Sequence, residues 1–565
     1  MLKLKEYKYH RPNIEKVQNE FKELLKSFDN AESLENQVES LEKINELRSE
    51  IDTMATLVSI RRSIDTTDEF YAKEQTFFDE TSPVLEGLYS QLYQSLVDSK
   101  FREGLEKNFG KLLFDIAEVK LKTFKPEIIE NLQEENKLVS EYIKLDASAS
   151  ISFEGEERNL SQVWASAYGN DRDLRKRAQE AIAKFYEENE ENFDEIYDKL
   201  VKVRTKIAKQ LGYDNYVELG YYRLGRTDYN AEMVAGYREQ VLENIVPLTI
   251  ELREKQGKRL NLESLKYYDL TLDFLSGNAT PKGDPEWIIA QGKKMYEELS
   301  PETNEFINFM LDRELMDLVT RKGKKGGGYC TYISKYKSPF IFSNFHGTAG
   351  DIGVLTHEAG HAFQVYSSQE FKVPEYTWPT LEACEIHSMS MEFITYPWME
   401  NFFKEDVDKY KYSHLNNSIL FIPYGVTVDE FQHRVYENPN MSPAERKATW
   451  REIEKKYLPS KDYEGNNFFE KGGFWFTQEH IFASPLYYID YTLAQVCAFQ
   501  FFNKCRENRE VAWEDYLRLC KVGGSKSFLN LLEVANLKNP FTEGTLEEVV
   551  GPLEDYLDSI DDSKF

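Results

Sequence analysis

The five residues His357-Glu358-Ala359-Gly360-His361 constrain this chain more than any other segment. Residues four apart lie on one face of a helix, so His357 and His361 can offer imidazole nitrogens to one metal ion. Glu358 can then reach a metal-bound water without binding the metal itself. The composition gives at most about 0.02 chance matches to His-Glu-x-x-His in a chain of this length. The segment therefore predicts a helix that carries a zinc site.

A catalytic zinc site needs a third protein ligand and one open position. Downstream lies a second helical pattern, Thr380–Phe393. Its candidate ligands are Glu382, Cys384, Glu385, His387 and Glu392. No Gly-x-x-His continuation follows His361, so a distal histidine in the metzincin spacing is missing. Glu385 shares a helix face with both Glu382 and Glu392, so one acid can bind metal while another orients an imidazole, and spacing alone does not choose among them.

Most of the remaining sequence predicts α-helices. Between Leu34 and Val58, apolar residues recur at spacings of three and four, which places one apolar stripe along a helix. Further amphipathic stretches are Val84–Leu96, Leu174–Phe185 and Ala231–Gln256. Ser338–Phe345 looks like a strand, Asp146–Phe153 like a short strand or turn, and Ser276–Pro285 like a loop. We therefore predict a mostly α fold, a large multi-helix zincin-type body with a small β element near the metal site.

The glycine-rich segment Lys322–Cys330 precedes the strand-like stretch. It is not a Walker loop, because its lysines come before the glycines and no Gly-Lys-Ser/Thr follows. We expect a flexible connection whose backbone can come close to a ligand.

Composition excludes several classes of protein. The 565 residues include 70 Lys and Arg against 98 Asp and Glu, and the resulting net charge of −28 argues against nucleic-acid binding. No stretch reaches about 18 uninterrupted apolar residues, and charges interrupt the first ten positions, so we expect neither a membrane span nor a secretory signal. The five cysteines are dispersed without a Cys-x-x-Cys pair, which favours a cytoplasmic protein without disulfides.

Several motifs resemble the M3 family of zinc oligopeptidases, within it the oligoendopeptidase F branch and especially its short Pz-peptidase-like members. The main motifs are Gly350–Phe363 and Glu385–Glu392. Supporting motifs are Gly225–Tyr229, Gly472–Trp475, His480–Phe482, Tyr487–Gln495, Gly523–Ser525 and Ala535–Leu537. The resemblance implies an N-terminal helical lobe over residues 1–195, a catalytic domain over residues 196–565, and a deep channel between helical lobes.

The resemblance also selects Glu385 as the third zinc ligand. Together with His357 and His361, this residue would hold one Zn²⁺ ion per chain. Glu358 would then be the general base. Glu392 is left as a helper or as an acid that faces the core.

The family places a transition-state-stabilising histidine and tyrosine on a segment that resembles His480–Tyr491. We expect His480, Tyr488 and Tyr491 to stabilise the oxyanion, although helical geometry alone admits Tyr487 as well as Tyr488. The other histidines of this half of the chain are His387, His414 and His433, which we expect to be structural, and His346, whose role stays open.

We therefore expect a zinc endopeptidase whose partners are short oligopeptide substrates. If Phe340–Phe345 is an exposed strand near the zinc, it would pair with the peptide backbone and give broad specificity. One alternative is a zinc carboxypeptidase or dipeptidyl carboxypeptidase, which would need a cationic clamp such as Arg226, Arg434 or Lys521. Another is a non-catalytic helical scaffold with a structural zinc, against which the presence of Glu358 argues.

Overall fold

The computed structural model describes residues 2–565, and the fold is mostly α, as predicted. The chain begins with α1 (Ile14–Asp29), α2 (Leu34–Ile64), α3 (Glu69–Val97), α4 (Arg102–Phe109), α5 (Leu112–Thr123) and α6 (Ile129–Ala147). The predicted apolar stripe lies on α2, where Leu41, Ile44 and Ile51 are buried. Among the described residues, no helix is both long enough and apolar enough to cross a membrane.

A two-stranded hairpin follows at the position predicted to be a strand or turn. Strand β1 (Ile151–Phe153) pairs antiparallel with β2 (Glu156–Arg158). The next helices are α7 (Leu160–Ser166), α8 (Arg172–Glu188), α9 (Glu190–Leu211), α10 (Tyr216–Arg223), α11 (Ala231–Asn244), α12 (Val246–Arg259), α13 (Pro285–Leu299) and α14 (Pro301–Asp312). The predicted loop ends where the Asp284 side chain caps α13, one residue before Pro285.

A three-stranded sheet comes next, formed by β3 (Met316–Val319), β4 (Tyr329–Ile333) and β5 (Ser338–Phe345). The strand order is β3-β5-β4, with β3 parallel and β4 antiparallel to β5. Central strand β5 is almost entirely buried, and Ile341 and Phe342 pair with β3 on one side and with β4 on the other. The expectation that Phe340–Phe345 is an exposed strand that pairs with a peptide is therefore wrong, because the strand is central and buried. The free edge of this sheet, on the side away from β3, belongs to β4.

The second half of the chain is helical again. Its helices are α15 (Ala349–Ser367), α16 (Leu381–Ile394), α17 (Met399–Phe403), α18 (Val407–Glu437), α19 (Pro443–Tyr457), α20 (Asn467–Glu470), α21 (Glu479–Ala483), α22 (Ile489–Glu507), α23 (Arg509–Val522), α24 (Phe528–Val534) and α25 (Thr545–Ser559). Helix α16 packs against both α15 and α22, and α18 packs against α22. This packing brings together the three segments that carry the predicted site residues.

A separate apolar cluster lies in the N-terminal helices and is completed from far along the chain. Val373 and Tyr376, from the segment that joins α15 to α16, are buried in this cluster. Between them, Glu375 accepts hydrogen bonds from Arg48 of α2 at 2.5 Å and from Tyr93 of α3 at 2.8 Å. The N-terminal helices therefore hold the segment between the two helices of the candidate site. The domain division at residue 195 stays a prediction.

Candidate active site

Helix α15 carries the His-Glu-x-x-His residues, as predicted. Asp351 in its first turn accepts hydrogen bonds from the backbone N–H groups of His346 at 3.1 Å and of Gly347 at 2.7 Å, which fixes the start of the helix. The helix then runs unbroken through both motif histidines. The rings of His357 and His361 lie on one face, with their centroids 5.0 Å apart.

Gly360 allows α16 to approach α15 closely. A Cβ atom at this position would lie 2.6 Å from the carbonyl oxygen of His387 and 2.7 Å from the Cα of Ser388, well inside van der Waals contact. The close approach brings a carboxylate to the histidine pair. Glu385 Oε2 lies 3.2 Å from His357 Nε2 and 3.7 Å from His361 Nε2.

These three residues form a group whose electrostatics suit a cation. One ligand atom from each of His357, His361 and Glu385 lies within 4.8 Å of the others. Although burial opposes the charge on Glu385, both histidines stabilise it and lower its pKa to about 2. Burial lowers the pKa of His361 to about 4, which leaves a neutral imidazole with a free lone pair. Two imidazole nitrogens and an ionised carboxylate are a donor set that fits a divalent metal ion.

Glu392 connects His357 to two further side chains. His357 Nδ1 lies 2.7 Å from Glu392 Oε1, and His414 Nε2 lies 2.6 Å from Glu392 Oε2. The Tyr396 hydroxyl donates in turn to His414 Nδ1 at 2.7 Å. Because Nδ1 of His357 is used in this way, its Nε2 faces Glu385. The shared helix face of Glu385 and Glu392 indicated that one of these acids could orient an imidazole, whereas spacing along the chain gave no signal for the contacts of His414 and Tyr396.

The other histidines lie outside the group of three. His387 is fully buried, and its Nδ1 lies 2.7 Å from the carbonyl oxygen of Ala383, one turn earlier in α16. His433 makes the same kind of contact with the carbonyl oxygen of Asp429 in α18, at 2.9 Å. His346 lies just before α15 begins.

Glu358 is buried beside the edge strand of the sheet. Its side chain belongs to a residue only 8% exposed, and burial raises its pKa to about 7. A Cβ atom at Gly328, the residue just before β4, would lie 3.6 Å from Glu358 Oε1. The backbone of the glycine-rich segment therefore lies close to the Glu358 carboxylate. The sequence analysis predicted a backbone at this segment that can come close to a ligand.

His480, Tyr488 and Tyr491 line one cavity, of about 570 Å³, together with Glu392. The His480 ring centroid lies 5.1 Å from that of Tyr488 and 5.9 Å from that of Tyr491. Tyr487 belongs to the same aromatic group, since its ring centroid lies 5.8 Å from that of His480 and 4.9 Å from that of Tyr491. Its hydroxyl donates to Glu385 Oε1 at 3.4 Å, whereas Tyr488 is one of the residues that line the cavity.

A larger cavity has a volume of about 1130 Å³. Its walls include Thr331 and Tyr332 of β4, Trp378, and residues of the N-terminal helices α2 and α3. The Trp378 ring lies 6.5 Å from the ring of His361. Trp378 therefore connects this cavity to the group of three.

A buried charge cluster packs behind α16. Arg226 donates to Asp490 Oδ1 at 2.6 Å and to the carbonyl oxygen of Leu486 at 2.7 Å. Glu382 is fully buried near this pair, and among the described residues neither of its carboxylate oxygens has a hydrogen-bond partner. Burial and the nearby Asp490 raise the pKa of Glu382 above its ordinary value. Glu382 is therefore not part of the group of three.

The sequence and the fold were compared with those of known proteins. Residues 4–124 match the family model for the Peptidase M3 N-terminal domain, and residues 165–279 and 294–550 match that for Peptidase family M3. An oligoendopeptidase F homolog of Borreliella burgdorferi is 25% identical over 453 residues, which cover 76% of this chain and 74% of the relative.

Solved structures resemble the chain over its whole length. The structure of Pz peptidase A with inhibitor 2 is 60% identical, with a TM-score of 0.94, and the match covers 99% of this chain and all of the other. The structure of a putative oligoendopeptidase F from Bacillus anthracis is 58% identical, with a TM-score of 0.90, and both chains are covered completely.

Proposed function

The chain belongs to peptidase family M3 and is a peptidase, and from this premise we propose that it is a zinc-dependent endopeptidase that hydrolyses short oligopeptides. The observation that carries the proposal is the group formed by His357, His361 and Glu385, with Glu358 on the same helix turn. A structural zinc site is usually closed by four protein ligands. Three ligands beside a buried carboxylate suit catalysis better than they suit a scaffold.

We assign the group of three to one Zn²⁺ ion, because two imidazoles and one carboxylate are a common ligand set of catalytic zinc. When bound, zinc supplies a Lewis acid that polarises a peptide carbonyl and activates a water molecule. The hydrogen bond between His357 Nδ1 and Glu392 keeps the Nε2 lone pair directed toward the other two ligands.

Glu358 acts as the general base and then as the general acid. Its carboxylate accepts a proton from the attacking water and later gives it to the nitrogen of the leaving amine. A carboxyl group whose pKa is raised to about 7 by burial can both accept and release a proton near neutral pH. Gly328 covers one side of the carboxylate and limits its contact with bulk water.

His480, Tyr488 and Tyr491 donate hydrogen bonds to the carbonyl oxygen as negative charge develops on it. All three line the cavity beside the metal ligands, which supports this assignment. Tyr487 has a different role in this proposal, because its hydroxyl donates to the ligand carboxylate of Glu385.

The peptide binds as an extended chain along the free edge of β4. This edge begins beside Glu358 and borders the larger cavity, so backbone pairing there would bring a scissile bond to the base. Pairing through the backbone gives broad specificity, and a folded protein cannot present its backbone in this way.

The three candidate clamps are not placed to hold a substrate carboxylate, but other cations, among them Arg223 and Lys335, line the larger cavity, so peptides blocked at both ends must decide between an endopeptidase and an exopeptidase. Arg226 is buried and paired with Asp490, and Arg434 is paired with Glu430 at 2.8 Å. Among the described residues, neither arginine lines either of the two cavities beside the metal ligands, and Lys521 does not line them either.

The test is digestion of a peptide library of graded lengths, including peptides blocked at both ends, followed by mass spectrometry with and without a chelator. We expect internal cleavage of blocked and free peptides of about 5 to 20 residues, a range that the resemblance to the M3 oligopeptidases implies. Cleavage should decline for longer peptides, because ordering a longer chain costs entropy that residues outside the channel do not recover. The chelator should abolish cleavage, and a native globular protein should stay intact. Cleavage that needs a free terminus would favour the exopeptidase. Absence of cleavage by zinc-loaded protein would favour the scaffold.

A further inference from the structure

Gln478 lies between His480 and the half-buried Tyr424 of α18. Its Nε2 donates to His480 Nδ1 at 2.9 Å, and the Tyr424 hydroxyl donates to its Oε1 at 2.7 Å. The backbone N–H of Gln478 donates to the carbonyl oxygen of Trp475 at 3.1 Å. The side-chain amide is therefore held at both ends, the backbone of the residue is fixed as well, and the NH₂ group faces the imidazole.

This contact decides which nitrogen of His480 carries the proton. A ring nitrogen that accepts a hydrogen bond is unprotonated, so in the neutral imidazole the proton is on Nε2. Burial lowers the pKa of His480, which favours the neutral ring. Among the described residues none hydrogen-bonds to Nε2, and the ring lines the cavity with Tyr488 and Tyr491.

We propose that Gln478 is a positioning residue that keeps His480 in the tautomer with its proton on Nε2, ready to donate to the carbonyl oxygen of a bound peptide. This inference rests on the proposed function of His480 as an oxyanion donor. An imidazole in the other tautomer would present a lone pair to the developing negative charge and repel it. Tyr424 contributes indirectly, because the hydrogen bond from its hydroxyl holds the other end of the Gln478 amide.

The first test reads the tautomer directly. Ring ¹⁵N NMR of the zinc-loaded enzyme, with the His480 signals assigned by their loss in His480→Gln, reports which nitrogen is protonated. We expect a protonated Nε2 in the wild type. In Gln478→Glu we expect a protonated Nδ1, because a carboxylate at position 478 can only accept a hydrogen bond. A wild-type ring protonated on Nδ1 would overturn the proposal.

The second test links the tautomer to turnover. In Gln478→Glu we expect kcat to fall roughly 100-fold, as when an oxyanion donor is removed, while KM changes by less than about twofold. Gln478→Met keeps the size of the side chain without fixing either tautomer, so its loss should be smaller. Glu479→Gln, which changes the exposed neighbour, should keep wild-type kinetics.

The controls separate this inference from the function on which it rests. Zinc content and circular dichroism show whether Gln478→Glu has lost its fold. If it has, Gln478→Met is compared with the wild type instead. If His480→Gln lowers kcat but Gln478→Glu does not, the positioning role of Gln478 is wrong and the role of His480 stands. If His480→Gln leaves kcat unchanged, the oxyanion role of His480 fails, and with it the catalytic role of Gln478.

Discussion

His357 and Glu392 connect the two helices of the metal-ligand group through a contact of 2.7 Å between Nδ1 and Oε1. The same carboxylate also contacts Nε2 of His414, so it lies between two imidazoles. Although burial opposes the charge on Glu392, both histidines lower its pKa to about 2, which keeps it an ionised acceptor for both N–H groups. Its position behind His357 is that of a residue which orients a ligand.

Replacing Glu392 by Gln should weaken metal binding without removing a ligand. The amide offers only one acceptor atom, so either His357 or His414 faces an NH₂ group and loses its hydrogen bond. We expect zinc affinity to fall about 10- to 100-fold, measured by competition with a chromogenic chelator. Glu452→Gln, a change of an acid paired with Arg434 at the surface, is the control and should leave affinity unchanged. Wild-type affinity in Glu392→Gln would mean that the contact does not orient His357.

Glu358→Gln should retain zinc and lose turnover. The amide has nearly the same shape as the carboxylate but cannot accept the proton of the attacking water, so kcat should fall by about 10²- to 10⁴-fold. Elemental analysis and peptide kinetics on the same preparation measure both quantities. Near-normal turnover in a zinc-replete sample would remove Glu358 from its assigned role.

Glu385→Gln and Glu382→Gln should behave differently, although both change an acid on α16. Glu385 lies 3.2 Å from His357 Nε2, and an amide in its place is a much poorer zinc ligand, so zinc should be lost on dialysis. Glu382 lies outside the group of three, and its Gln variant should retain zinc. The opposite pattern would show that the ligand assignment is wrong.

Glu382→Gln should also change how stability depends on pH. Because the pKa of Glu382 is raised by burial and by Asp490, the folded chain holds a proton that the unfolded chain releases above the ordinary value of 4.5. The free energy of unfolding of the wild type therefore falls as the pH rises beyond that value. The variant has no such proton, so its stability relative to the wild type should increase with pH. Urea unfolding at mildly acidic and mildly alkaline pH measures the difference, and a gap that stays constant would contradict the assignment.

Gly360→Ala should destabilise the protein despite the higher helix propensity of alanine. The new methyl group would lie 2.6 Å from the carbonyl oxygen of His387, so α16 must move. Overpacking of this kind costs about 1–3 kcal/mol, more than the propensity gain of about 1 kcal/mol. Gly236→Ala in α11, where nothing lies within 4 Å, is the matched control and should be stabilised. Thermal unfolding and zinc retention are the measurements, and equal stabilisation of both variants would show that the helices are not in close contact at Gly360.

The spacing of residues along the chain predicted individual helices and the side chains that share a helix face. The α15 helix and the shared face of His357 and His361 follow from residues four apart. Contacts between segments far apart in the sequence could not be predicted from this spacing. The link from Glu392 to His414 joins two helices, and only their packing creates it.

The prediction of an exposed strand at Phe340–Phe345 failed, and the choice between Tyr487 and Tyr488 stayed open. Each outcome has an identifiable physical reason. The run Ser338–Phe345 lacks polar alternation, which is typical of a strand covered on both faces, so it is central rather than exposed. Tyr487 and Tyr488 precede the first residue of α22, Ile489, so helical spacing to Tyr491 did not describe their directions.

The segment Val373–Tyr376 has a consequence for how the protein is made. Helices α1 to α5 leave the ribosome long before this segment is translated, and until then their apolar cluster lacks Val373 and Tyr376. Arg48 meanwhile has no Glu375 to neutralise it. The segment that completes the cluster of the N-terminal helices is also the one that joins α15 to α16. A translation product that ends before residue 373 therefore lacks both part of this apolar cluster and the whole of α16, which carries Glu385.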